Sequence, residues 1–339
     1  MSVRQGIEKL IEGLQDPSRS NLALLALLAK GDAAVPGLAE FLSRSKPSSL
    51  PEARLLAVEG LSILKGPKAL ETLIAVASER LADISDPVIR LAEETVASRA
   101  AGALAEFSDE PRAVSTLLQL LKGKPLVGVA EAFTKLKDVR AIPGLVAWLG
   151  EDFVAESARQ AILACGDVSL PALLDSLRFK EIQHGSETGT SQRRRARILA
   201  ILCELAPPAG IDALDDLLAD PVESVRWNAV KYFLEKGNPT QHQRAFRIAI
   251  SFLDSSDSFV RSECEDVLLA HFDIGQEIIE KEIRRRRMRG ERENNFEPRE
   301  TTQAVLNRIL RKGRASKDGR HDETPVSSGT EPVPTRRPK

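Results

Sequence analysis

The chain has 339 residues, 42% of them apolar and only 4% aromatic, a composition that suits closely packed Ala/Leu-rich helices better than a β-sandwich. Its formal net charge of −1 hides a split, because from residue 281 onward 17 Lys and Arg face 9 Asp and Glu, leaving 31 against 40 in residues 1–280. An acidic body of that kind argues against a repeat array whose main task is to hold a phosphate backbone.

In chain order, one phrase keeps returning at intervals of roughly thirty to forty residues, the spacing of a repeat architecture. It first reads Val35-Pro36-Gly37-Leu38-Ala39-Glu40-Phe41-Leu42, with looser copies at Gly66-Pro67-Lys68-Ala69-Leu70 and Pro111-Arg112-Ala113-Val114. It returns as Ile142-Pro143-Gly144-Leu145-Val146-Ala147-Trp148-Leu149, as Leu170-Pro171-Ala172-Leu173, and loosely as Gly210-Ile211-Asp212-Ala213-Leu214. Each unit predicts two antiparallel helices, A and B. In the clearest one, Pro125 opens helix A, whose apolar face is Val129, Ala130, Ala132, Phe133 and Leu136. Lys137-Asp138 turns the chain, and helix B over 139–149 buries Ile142, Leu145, Val146 and Leu149. Steps of three and four residues place these side chains on one stripe, which only stacking against neighbouring pairs can cover.

A second recurrence opens A helices with Asp-Pro or Asp-Ser followed by Ile/Val-Arg: Asp86-Pro87 with Ile89-Arg90, Asp220-Pro221 with Val225-Arg226, Asp257-Ser258 with Val260-Arg261. Asp supplies an N-cap oxygen and Pro a first helical residue, while the Arg can reach the neighbouring turn. Residues 81–95 extend a pair beyond its usual length, and 179–192 form a long loop before a helix starting near Arg193. Beyond Arg287 the rhythm loosens. A short amphipathic helix within 297–312 is expected to cap or dock, and 313–339 reads as a disordered basic tail.

With these residues in view, the chain resembles a HEAT-repeat protein, nearest the short bacterial HEAT-like variety of armadillo-type solenoid, over roughly residues 3–290. The resemblance implies an all-α fold: a right-handed α-solenoid of about eight HEAT-like helix pairs over 1–290, with a capping helix and a disordered tail. In such arrays helix B usually lines the concave side. Its exposed positions then include Arg112, Arg140, Asp175, Asp212, Asp215 and Asp216, a groove that grades from mixed to acidic and suits a basic peptide or helix.

Enzymes of this architecture can be tested by motif. Deoxyhypusine hydroxylase holds two irons through His-Glu pairs, but none of His184, His242, His271 and His321 is followed by Glu. The alkylpurine DNA glycosylase type lines a basic groove with aromatics and an acid; the candidates here are Trp148 and Trp227, the latter beside Arg226. Packing remains open for both, since Trp148 follows Leu145 by three positions and Trp227 follows the repeated Val-Arg. Phycobilin lyases share the scaffold phrasing, which carries no activity with it. Cys165, Cys203 and Cys264 are too far apart for a zinc site or redox pair. The expectation is a non-catalytic adaptor without metal or cofactor, binding another protein through Trp148, Trp227, Arg226, Arg112, Arg140, Asp212, Asp215 and Asp216.

Two arginine clusters support an alternative, a nucleic-acid-associated protein. Arg193, Arg194 and Arg195 follow the long loop, and Arg284, Arg285, Arg286 and Arg287 form the densest basic run. No run approaches 18 apolar residues and no signal-peptide stretch opens the chain, so no membrane span and a cytoplasmic location are expected.

Overall fold

The structure, a computed structural model, describes residues 3–45, 47–205, 211–288 and 301–321; for residue 3, for 211–213 and for 317–321 it describes the backbone alone. It is all-α apart from one two-stranded hairpin. The chain divides into two compact units, residues 1–212 with 220–228 and residues 213–219 with 229–339.

Unit 1 contains α1 (Val3–Leu14), α2 (Ser20–Leu28), α3 (Val35–Arg44), α4 (Glu52–Leu64), α5 (Pro67–Ala77) and α6 (Pro87–Ala103). It continues through α7 (Pro111–Leu120), α8 (Val127–Leu136), α9 (Ile142–Trp148), α10 (Ala155–Cys165), α11 (Leu170–Arg178) and α12 (Gly189–Leu205). Even-numbered helices pack on even ones along the chain, from α2 on α4 to α10 on α12, and α1, α3, α5 and α7 pack likewise, as do α9 and α11. The odd helices correspond to helix B and the even ones to helix A. Their facing stripes make the core: Leu38, Leu73, Leu117, Leu145 and Leu173 from one layer, and Leu61, Val96, Phe133, Ile162 and Leu199 from the other, all fully buried.

The small residues of the A helices serve close approach. A Cβ on Gly128 would stand 1.7 Å from the Ser98 carbonyl oxygen of α6, and the Gly128 amide instead donates to the Ser98 hydroxyl at 2.8 Å. Proline occupies the first turn of α3, α5, α7, α9 and α11, where the missing N–H costs nothing.

Arginines tie successive helices by reaching back to carbonyls at the ends of earlier ones. Arg54 donates to the Leu42 oxygen at 3.0 Å, Arg197 to Leu149 at 2.7 Å and Arg195 to Leu177 at 3.0 Å. Arg226 reaches the Asp220 oxygen at 2.6 Å, and in unit 2 Arg261 reaches Ser255 at 2.5 Å. Terminal helix carbonyls lack intrahelical partners and carry partial negative charge, so a guanidinium satisfies both needs.

The rest of the chain contributes a 3-10 stretch (Ile211–Ala219), α13 (Glu223–Lys236), α14 (Pro239–Ser251), α15 (Ser258–Ala270), α16 (Phe272–Met288) and α17 (Thr302–His321). In unit 2, α14 packs on α16, and α17 packs on α15 and α16 with Leu306 and Ile309 fully buried. Asp86, Asp257 and Asn238 cap α6, α15 and α14 through two backbone amides each.

Three expectations are corrected. The segment 179–192 is not all loop: Ile182 pairs with Glu187 and Gln183 with Ser186 around a His184-Gly185 turn with positive φ at both positions, and α12 begins at Gly189. Residues 81–95 lengthen a pair only from Pro87 onward: a 3-10 turn at Leu81–Asp83 comes first, and α6 then runs for 17 residues. Helical structure does not stop before 313, because α17 runs to His321, leaving 322–339 of the proposed tail outside the described residues. Gly313, the expected start of the tail, lies inside α17, and a Cβ there would come within 2.4 Å of the Phe272 ring. It marks tight packing.

Candidate interaction surface

Two clefts open between odd-numbered helices of unit 1. The first, about 1140 Å³, lies between α1 and α3 and is closed on one side by the start of α4. Its floor is apolar, with Ile11, Phe41, Leu55 and Leu56 half-buried, and its rim carries exposed Glu8, Glu12, Glu40 and Glu52. The second, about 780 Å³, is bounded by α5, α6 and α7, with Ile74, Ala77, Leu120 and Leu126 among its apolar lining. Its charged groups are mixed: Glu79, Arg90 and the Glu94–Lys124 pair at 2.5 Å.

Beneath the first cleft sits a buried ion pair. The Arg54 guanidinium is 3.1 Å from the Glu93 carboxylate, with side chains 5% and 1% exposed. Arg54 also donates to the Leu42 and Ser45 carbonyls, and Glu93 accepts the Ser48 amide at 3.3 Å. A pair this buried is costly to break from one side only. It holds Ser45 and Ser48, two residues of the cleft wall, against α4 and α6.

The residues singled out in sequence fare unequally. Trp148 and Trp227 are only 5% and 3% exposed, so neither is a surface anchor; their rings belong to the core. Arg226 is engaged by the Asp220 carbonyl. Arg112 and Arg140 are exposed, but Arg140 folds back onto Asp138 at 2.9 Å, a hydrogen bond that holds the Asp138 carboxyl below its ordinary range. In unit 2, Asp215 is paired with Arg244 at 2.6 Å and accepts from Gln241 at 3.1 Å, while Asp216 is exposed. The Asp212 side chain lies outside the described residues.

The arginine triplet is no phosphate patch either. Arg195 is fully buried between Glu187, at 2.8 Å, and Asp220, which also takes Lys180 at 3.3 Å. Arg194 is buried, lies over the Phe179 ring at 5.6 Å and donates to the Phe179 carbonyl at 3.0 Å. Burial lowers the Arg194 pKa against the opposing pull of Glu181 and Glu187. Arg193 is half-exposed and is bound by the Gly150 carbonyl at 3.0 Å. Arg194 and Arg195 tie the hairpin region and the 220 turn to α12, and Arg193 ties α12 to Gly150 and Asp152.

The second run behaves as a solvated face. Arg284, Arg285 and Arg287 are exposed, and Arg286 is drawn in by Asp254 at 2.8 Å and Glu282 at 2.9 Å. Hydrogen bonding from Arg285 and Arg286 keeps the Glu282 carboxyl below its usual value. Arg247, Lys281, Arg285 and Arg286 surround a 360 Å³ hollow between α14 and α16. Among the described residues, no three His, Cys, Asp or Glu side chains are grouped to hold a metal ion, and no helix is long and apolar enough to cross a membrane.

Sequence reasoning missed the first cleft. The signal was present as Glu8 and Glu12, one turn apart on α1, and as Glu40-Phe41 closing the first copy of the repeated phrase. What could not be seen was that α1 and α3 lie side by side.

No protein-family model and no curated protein matches this chain. A crystal structure of an engineered protein from the Northeast Structural Genomics Consortium is similar in part, with 16% identity, 95% of each chain covered and a TM-score of 0.37.

Proposed function

We propose that the chain is a non-catalytic interaction scaffold of the cytoplasm, a right-handed α-solenoid of bacterial HEAT-like helix pairs that holds a segment of another protein along its B helices. The observation that carries this reading is the pair of open, apolar-floored clefts between odd-numbered helices of unit 1. The alternating packing of odd and even helices supports the repeat reading, because each pair covers its neighbour's stripe. Binding would proceed by surface complementarity, with apolar side chains entering the clefts and the glutamate rim setting which partner is accepted.

A pull-down from native lysate, with and without nuclease, followed by cross-linking mass spectrometry, tests it. A stoichiometric protein that survives nuclease and cross-links to the odd helices is the expected result. Recovery of nucleic acid without such a protein would overturn the reading. That outcome would favour a second one, supported by the hollow ringed by Arg247, Lys281, Arg285 and Arg286, in which α16 contacts phosphates. Salt separates the two, since phosphate contacts weaken steeply with ionic strength.

A further inference from the structure

We infer that the cleft between α1 and α3 receives a basic amphipathic helix of a partner protein. This rests on the odd helices being the binding face, and it names the occupant of that face's first cleft.

Charge comes first. Among the described residues, four glutamates, Glu8, Glu12, Glu40 and Glu52, line the cleft against two cations, Arg44 and Arg54. Arg54 is spent below on Glu93. Arg44 is exposed and bridges Glu40 at 2.5 Å. Glu8 bridges only Arg4, at 3.2 Å, and both side chains are largely exposed, so an incoming cation exchanges for that bridge at little cost. Glu12 and Glu52 form no ion pair among the described residues. The rim therefore repels phosphate and attracts lysine and arginine.

The floor decides the conformation of the guest. Ile11, Phe41, Leu55 and Leu56 offer apolar surface on α1, α3 and α4, whose backbone is bonded within the helices, and outside them the Ser48 and Leu50 amides are taken by the Glu93 carboxylate and the Ser48 hydroxyl. Among the described residues no strand edge borders the cleft, so an extended peptide finds no ladder there for its amides. A helix closes its own backbone bonds and presents apolar residues at i, i+3, i+4 and i+7 to the floor, with flanking cations beside the glutamates.

The test uses the full chain and a fluorescein-labelled, Leu/Lys-patterned helical peptide, read by anisotropy. Controls are the same peptide with Glu replacing Lys and a scrambled peptide of identical composition. The patterned basic peptide should bind and the other two should not. The double variant Glu12→Lys/Glu52→Lys, checked for folding by circular dichroism, should weaken binding by about tenfold, two exposed charge pairs' worth. Asp109→Lys/Glu277→Lys, exposed reversals elsewhere, should leave it unchanged.

Equal loss from both double variants would show attraction to net charge alone and overturn the proposal, as would equal binding of the scrambled peptide. If the cleft variant still captures the lysate partner and the wild type ignores the peptide, the scaffold reading stands and this occupant falls. If no protein is captured while the peptide binds in the cleft as described, the scaffold reading falls and the occupant chemistry stands.

Discussion

The Arg195 guanidinium lies 2.8 Å from the Glu187 carboxylate with no surface left on the arginine, and Asp220 closes the cage from the other side. One cation thus joins a hairpin, a helix and a turn that sequence separates. Replacing it by Met strands two buried carboxylates and should destabilise unit 1 by about 3–5 kcal/mol, measured by urea denaturation. Adding Glu187→Gln and Asp220→Asn should recover part of that loss.

The same cage gives a pH dependence with a definite sign. Burial alone would raise the Asp220 pKa, but hydrogen bonds from Arg195 and the Val222 amide, with the Arg195 and Lys180 charges, bring it below its ordinary 3.8. A carboxylate depressed on folding stabilises the fold fully above its unfolded pKa, and that contribution fades as pH falls through the folded value. Melting temperature should therefore drop below about pH 4 in the wild type. The variant Asp220→Asn should show a shallower drop.

Both tryptophans should report a dry environment. Emission of the native protein should be blue-shifted and hardly quenched by iodide, with quenching restored in denaturant. Strong native quenching would contradict the burial of Trp148 and Trp227.

Gly128→Ala should cost about 1–3 kcal/mol, since the added methyl meets backbone rather than a yielding side chain. A thermal melt is sufficient to read it. Gly6→Ala is the control, because a Cβ there meets nothing within 4 Å.

Thiol chemistry should separate the cysteines. Burial pushes the Cys264 thiol strongly upward, and the group donates to the Ala249 carbonyl at 3.0 Å. It should stay silent to a thiol reagent until the protein unfolds, whereas half-buried Cys165, whose thiol burial also pushes upward, and Cys203 should react in the native state but more slowly than a free thiol.

Helix pairs were legible because their signals are local. The Pro-Gly-Leu phrase places a proline in a first turn and leucines on one stripe, and Asp86 and Asp257 cap as their spacing predicts. Arg261 and Arg226 likewise reach back over six residues, as the Val-Arg recurrence suggested. Partners at longer range were not legible. Nothing near Arg195 indicates that Asp220, 25 residues on, will turn to meet it. Trp148 lies at the margin of its own helical stripe, where a single helix cannot show how far its neighbours will cover it.

The backbone ties formed by arginine share one direction. In Arg54, Arg195, Arg197, Arg226 and Arg261 alike, the guanidinium lies downstream of the carbonyl it holds. Trimming from the C-terminal side removes donors and exposes carbonyls that water can hydrate. Trimming from the N-terminal side strands cations in the interior, which is far costlier. The fold thus has an arrow. On the ribosome each acceptor emerges before the arginine that claims it, so a nascent chain can settle pair by pair in the order of its synthesis.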